Sequence, residues 1–199
     1  MTTARRPLLA ALFLLGPLAS ASAQMDTGRA ASFIQTTGQE LVAVLNSNAP
    51  VEARRDRVAA ILRRAVDIEG TGRFVLGRWW RAATPAEQQE YIRLFEQTLI
   101  RNLASRFGEY QGVRFDLGRT QQRTEDDALV TTIVERPGSP AFTLDWRVAD
   151  IGGQPKIVDL VAEGTSLRLT QRSEYSSVVQ RGGNQVSALL AAMRQQLAR

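Results

Sequence analysis

The chain changes its hydrophobic period near its middle. In the first half, apolar residues recur at steps of three and four. Phe33, Ile34, Leu41, Val42 and Leu45 share one helical face, and Asn46-Ser47-Asn48-Ala49-Pro50 ends it. Val58, Ile61, Leu62, Ala65 and Val66 mark a second helix, closed by Gly70. Thr84-Pro85-Ala86-Glu87 then supplies an N-cap, a proline at the first helical position and a capping-box acid. The helix it opens is predicted to run to about Phe107, with Gly108 as the stop. Its residues Tyr91, Ile92, Leu94, Phe95, Leu99, Ile100, Leu103 and Phe107 spread well beyond the ~100° arc that one buried face requires. Such a helix is expected to be covered on two sides and to sit centrally.

After about residue 112 the period becomes two. Val113, Phe115 and Leu117 alternate with Arg114 and Asp116, and Leu129 to Val134 is rich in Val, Thr and Ile. Phe142, Leu144, Trp146 and Val148 alternate with polar residues, and Ile157 to Ala162 is apolar apart from Asp159. Pro137-Gly138-Ser139-Pro140 and Asp150-Ile151-Gly152-Gly153 stand between the last three runs as turns. Connections this short join antiparallel neighbours. The expectation is a four-stranded antiparallel meander, followed by helices near 171–181 and 185–197. The class is α+β, with helices packed on a twisted sheet. The 157–162 run is apolar on both faces, so apolar matter must lie on both of its sides.

The first residues have another character. Arg5 and Arg6 precede an apolar run from Leu8 to Leu18, broken by Gly16-Pro17 and followed by Ala21-Ser22-Ala23. This is the pattern of a secretory signal peptide cleaved after Ala23, leaving residues 24–199 as one exported domain. A domain of this size buries about 70% of its unfolded surface without covalent staples, so the absence of Cys is no handicap in an oxidising compartment.

Composition narrows the chemistry. With no Cys and no His, thiol chemistry, the common nucleophile–imidazole pairs and most transition-metal sites are excluded. The net charge is +5, of which Arg5 and Arg6 carry two. The basic residues are 24 Arg and one Lys, scattered among acids as a solvated mixed surface, which argues against nucleic acid as a partner.

Four clusters carry candidate chemistry. Asp159 and Glu163 are four residues apart, so on a strand their backbones stand about 13 Å apart at ~3.3 Å per residue. Carboxylate pairs that cleave glycosides sit about 5–9.5 Å apart. The spacing favours one acid paired with an arginine and the other at the Gly164 turn. Arg78-Trp79-Trp80-Arg81 has two readings, an interfacial aromatic patch or a core anchor for the turn before the helix cap. Glu125-Asp126-Asp127 fails the spacing of a calcium loop and reads as a solvated hairpin turn. Gly70-Thr71-Gly72 follows a helix rather than a strand, so it is not a dinucleotide fingerprint.

The segment Leu76-Gly77-Arg78-Trp79-Trp80, with Ala83-Thr84-Pro85 and Phe95 after it, resembles the central segment of the MlaC or toluene-tolerance family. A second match is Asp159, Glu163-Gly164, Ser166-Leu167, Arg172 and Tyr175, and the resemblance spans about residues 26–197. It implies a periplasmic lipid carrier rather than an enzyme, without a cofactor. Its fold would be related to the nuclear-transport-factor-2 type, with acyl chains in an apolar cavity between sheet and helices. The implied partners are phospholipid, an MlaA-type outer-membrane lipoprotein complex and an MlaFEDB-type inner-membrane ABC transporter. A hopanoid or sterol-type cargo on the same fold stays open, as does an enzyme using Asp159 or Glu163 as base, or an adaptor with no ligand. The slot is expected to be lined by Leu76, Trp80, Phe95 and Leu99 from the helices. Phe115, Ile133, Phe142, Leu144, Trp146, Leu160 and Val178 complete the expected lining.

Overall fold

A computed structural model describes residues 25–108 and 112–198; the leader and cleavage after Ala23 expected from the sequence lie outside them. Helix α1 (Thr27–Leu45) is capped by the Asp26 carboxylate, which accepts from the Arg29 N–H. Helices α2 (Val51–Ala65), α3 (Ile68–Leu76), α4 (Trp79–Ala82) and α5 (Pro85–Gly108) follow. Four long strands come next: β1 (Arg114–Gln122), β2 (Asp127–Arg136), β3 (Ser139–Ile151) and β4 (Gln154–Ala162). A two-residue strand β5 (Thr165–Ser166), α6 (Leu167–Arg181) and α7 (Val186–Leu197) complete the chain. The fold is α+β, and each strand pairs antiparallel with its sequence neighbour in an open sheet ordered β1-β2-β3-β4-β5.

The sheet has five strands rather than the expected four. Glu163 (φ 50°) and Gly164 (φ 78°) turn the chain back in two residues, so Thr165 and Ser166 pair with Ala162 and Val161. A second difference is α3. Gly70 does not stop a helix but sits in the first turn of one, where its N–H binds the capping Asp67 carboxylate. Gly72 brings α3 close to α5: an added Cβ would lie 2.9 Å from Ile92 Cδ1. The Gly72 carbonyl accepts from the hydroxyl of Tyr91, a ring with no exposed surface.

The capping box before α5 forms as expected: the Thr84 N–H donates to Glu87 at 2.9 Å and the Glu87 N–H to Thr84 Oγ1 at 3.3 Å. Helix α5 packs on α2, α3 and α7, which accounts for its wide apolar arc. It is the centre of the helical half and takes no large share of the sheet. Tyr91, Leu94 and Phe95 join Leu76, Tyr175, Val179 and Leu190 in a core made of helices alone. Burial pushes the hydroxyls of Tyr91 and Tyr175 far above the usual tyrosine range, each reinforced by a neighbour, Tyr175 for the first and Glu174 for the second. Trp80 meets Tyr91 edge-on at 6.4 Å and the Trp79 indole donates to Ser176 Oγ. Both tryptophans thus anchor the α3–α5 turn.

Strand β4 is covered on both sides, by α1 and α2 and by α3 and α6. Val66 bridges to Ile157, and the Asp67 N–H donates to the Ile157 carbonyl, closing part of the strand's free edge. Asp159 is only 8% exposed. It accepts from Ser166 Oγ at 2.6 Å and from the Arg168 N–H, and pairs with the Arg168 guanidinium at 3.3 Å. Ser166 in turn caps α6 through the Leu169 N–H. The acid-rich stretch is therefore a hairpin-to-helix joint, and Glu163 is its turn residue. Burial, then repulsion from Arg147, holds the Arg168 guanidinium below its ordinary value, and Asp159 partly offsets this. Asp127 departs from the solvated turn expected for it: it is buried, at 4% exposed, and pairs with Arg147 on β3.

Candidate functional site

The face of the sheet turned to α1 is apolar because alternate residues of each strand point the same way. The register places Val130 opposite Trp146, Thr132 opposite Leu144 and Val134 opposite both Phe115 and Phe142. Toward one end, Ala128, Val130, Val148 and Ile157 close up against Ala30 and Ile34 in a solid core. Toward the other end, helix and sheet separate.

The gap is an apolar slot. Its floor is Phe115, Thr132, Val134, Phe142, Leu144, Trp146 and Ile157, with Val113 at the start of β1. Its roof is one face of α1: Ile34, Thr37, Gly38, Leu41, Val42 and Leu45. Its cavity volume is about 70 Å³, a narrow apolar space that opens to solvent at its mouth. No charged side chain lines it; the polar side-chain atoms are the Thr37 and Thr132 hydroxyls and the Trp146 indole N–H. That indole donates to Thr132 Oγ1 at 2.8 Å, and Thr132 Oγ1 lies 3.3 Å from the Leu144 carbonyl. The Trp146 indole and Thr132 thus satisfy each other, and the surface offered to a guest is almost entirely hydrocarbon.

The height of the slot is set at both ends of α1. Arg29 binds Asp150 and the Gly153 carbonyl at the first turn. Asn46, just past the last turn, donates to the Val113 carbonyl at 3.1 Å and accepts from the Gly112 N–H at 2.9 Å. Between them, Gly38 lets the Phe115 ring rest on the helix: an added Cβ would lie 2.4 Å from Phe115 Cζ.

Of the residues expected from sequence, Phe115, Phe142, Leu144 and Trp146 come together in this slot. The helical group does not reach it. Leu76 and Phe95 are buried in the all-helical core, and Trp80, Leu99 and Val178 pack against that core. For Phe95 and Leu99 the reason is that the apolar arc of α5 is filled by α2, α3 and α7, and Leu76, Trp80 and Val178 lie on α3, α4 and α6, which pack into the same helical core. Ile133 lies on the opposite face of the sheet, 40% exposed, paired with Asp116 and Thr143. Leu160 pairs with Trp146 but lies beyond the lining. The expectation omitted the whole roof, although Ile34, Leu41, Val42 and Leu45 mark it plainly.

With the geometry established, known proteins give it a context. The family model described as MlaC protein matches residues 35–195. The toluene tolerance protein Ttg2D of Pseudomonas putida is 25% identical over 188 residues, covering 90% of this chain and 84% of that protein. A phospholipid-binding protein from Ralstonia solanacearum, solved in complex with a phospholipid, superposes with a TM-score of 0.76 at 22% identity. That match covers 85% of this chain and 99% of the other.

Proposed function

The chain belongs to the MlaC family, and from that premise we propose that it is a periplasmic carrier of phospholipid, holding acyl chains in the slot between α1 and the sheet. The observation that carries this reading is the slot's lining, hydrocarbon on every side with no charged group. Burial of acyl carbon contributes about 0.8 kcal/mol per methylene, so ten methylenes give about 8 kcal/mol to set against the costs of association and chain ordering. Nothing beyond fit is needed for binding, and a headgroup left at the mouth remains free for hand-over. The solved relative holds a phospholipid on the same fold, which supports that class of cargo.

The chain would load and unload at an MlaA-type outer-membrane complex and an MlaFEDB-type inner-membrane transporter. Carriage asks nothing of Asp159 or Glu163 except their places in the joint before α6. The test is Leu144→Glu, which sets a carboxylate into the slot floor. Extracted phospholipid per protein should fall to background while the circular dichroism spectrum is kept. Undiminished lipid in that variant would remove the slot from the account.

A further inference from the structure

A second cleft lies on the far side of the helical half, between the α3–α4 turn and α6. It is lined by Leu76, Arg78, Trp79, Arg172, Ser176 and Gln180. Its polar groups are guanidinium, hydroxyl and amide, and no carboxylate is among them. Both arginines are held in place rather than free to swing. The Arg78 guanidinium lies 4.5 Å from the centroid of the Trp79 ring. The Arg172 guanidinium lies 4.9 Å from that of Phe74, donates to the Phe74 carbonyl at 3.1 Å and rests flat against Gly77. Gly77 has φ +60°, and an added Cβ there would lie 3.0 Å from the guanidinium carbon. Stacking occupies the faces of these cations and leaves edge N–H groups for an oxyanion, the geometry that suits phosphate.

The charge is uncompensated. Arg73 and Arg168 nearby pair with Glu69 and Asp159, whereas Arg78 and Arg172 have no acidic partner among the described residues. The cleft also has an apolar rim. Leu169, Arg172, Ser176 and Gln180 fall on one stripe of α6 at helical spacing, and Leu169 is 56% exposed. A projecting leucine beside arginines that have no acidic partner among the described residues is a combination that seats a protein at a lipid headgroup layer.

We propose that this cleft docks the protein on an anionic bilayer surface, with lipid phosphate between Arg78 and Arg172 and Leu169 entering the headgroup–acyl boundary. The surface is distinct from the slot, whose walls are α1 and the sheet. Retention of a guest in the slot is therefore independent of it, and an empty slot would leave this inference intact.

The experiment is cosedimentation of the mature protein with vesicles of phosphatidylcholine alone and of phosphatidylcholine with phosphatidylglycerol. Binding should be confined to the anionic vesicles. It should fall about thirty-fold in Arg78→Gln/Arg172→Gln, at roughly fivefold per arginine near such a surface. An equal loss of charge on α2 and β1, Arg57→Gln/Arg119→Gln, should leave most of the binding. The Arg78 side chain makes no hydrogen bond among the described residues, so the single Arg78→Gln, expected to weaken binding about fivefold, decides the matter if the double variant fails to fold. Equal loss in the α2/β1 control would reduce the effect to net charge and overturn the proposal. So would equal binding to both vesicles. Absence of vesicle binding, with inorganic phosphate raising the Tm of the wild type but not of Arg78→Gln, would assign the cleft to free phosphate instead.

Discussion

Gly38→Ala tests the slot with a single methyl group. In the native chain the Phe115 ring rests on the helix backbone at Gly38, and an added Cβ would stand 2.4 Å from Cζ and 2.8 Å from both Cε atoms. Ordinary contact begins at 3.4 Å, so ring and helix must part by about 1 Å. The helix is tied at both ends, by Arg29 to Asp150 and by Asn46 to Val113 and Gly112. The ring is the part that yields, and it yields into the slot. Overpacking costs about 1–3 kcal/mol, and the better helix propensity of alanine offsets about 0.5–1 kcal/mol. The empty protein should thus lose about 1 kcal/mol, a fall in Tm of about 2–4 °C for a domain of this size. If the ring excludes two methylenes of a bound chain, the loss is about 1.6 kcal/mol, or fifteen-fold in affinity. Displacement of a fluorescent phospholipid analogue reads that factor directly. The double variant Gly38→Ala/Phe115→Leu should recover most of it, because the three atoms nearest the added methyl all belong to the Phe115 ring. Unchanged affinity in Gly38→Ala, with an unchanged Tm, would show that the ring does not wall the binding site.

Three further outcomes separate frame from site. Phe95→Leu, in the all-helical core, should lower the unfolding free energy by about 1 kcal/mol while leaving phospholipid affinity unchanged in binding titrations. Asp159→Asn leaves the Arg168 guanidinium, 15% exposed, without its charge partner; denaturant unfolding should show a loss of about 3 kcal/mol with lipid still bound at low temperature. The third concerns alkaline pH. Tyr91 and Tyr175 are held protonated in the folded chain, whereas unfolded tyrosine ionises near pH 10. Their contribution is complete below that pH and declines above it, by about 1.4 kcal/mol per pH unit for each ring. Tyr175→Phe should therefore roughly halve the alkaline slope of urea-unfolding free energy, and an unaltered slope would assign the loss to other groups.

Caps and alternation were readable in the sequence because they depend on residues a few positions apart. Thr84 and Glu87 cap α5 as their spacing implies, and the alternation through Phe115, Leu144 and Trp146 locates the floor of the slot. The failures come from packing at a distance. Gly70 looks like a helix stop, yet it serves the Asp67 cap, and Gly72 beyond it lets α3 close on α5. The wide apolar arc of α5 signals two-sided cover, but a one-dimensional pattern does not say whether sheet or helices provide it. Helices do, and the expected lining residues Leu76, Trp80, Phe95, Leu99 and Val178 lie at that helical core rather than in the slot. Gly38 carried a usable signal: a glycine inside a helix costs about 0.5–1 kcal/mol relative to alanine, so its presence between Ile34 and Leu41 points to a close approach there. The start of α1 at Thr27 is cued by Asp26 rather than by apolar residues. Only the cap extends that helix back past Phe33.

The central claim is that the slot beneath α1 holds the hydrocarbon of a membrane lipid. Native mass spectrometry of the mature protein, purified without detergent from a Gram-negative host, tests it most directly when paired with organic extraction of the same sample. The expected result is a stoichiometric adduct that extracts as phospholipid, absent from Leu144→Glu. An adduct of hopanoid mass would keep the slot and replace the cargo. A clean apo mass that persists after incubation with lipid vesicles would contradict carriage itself.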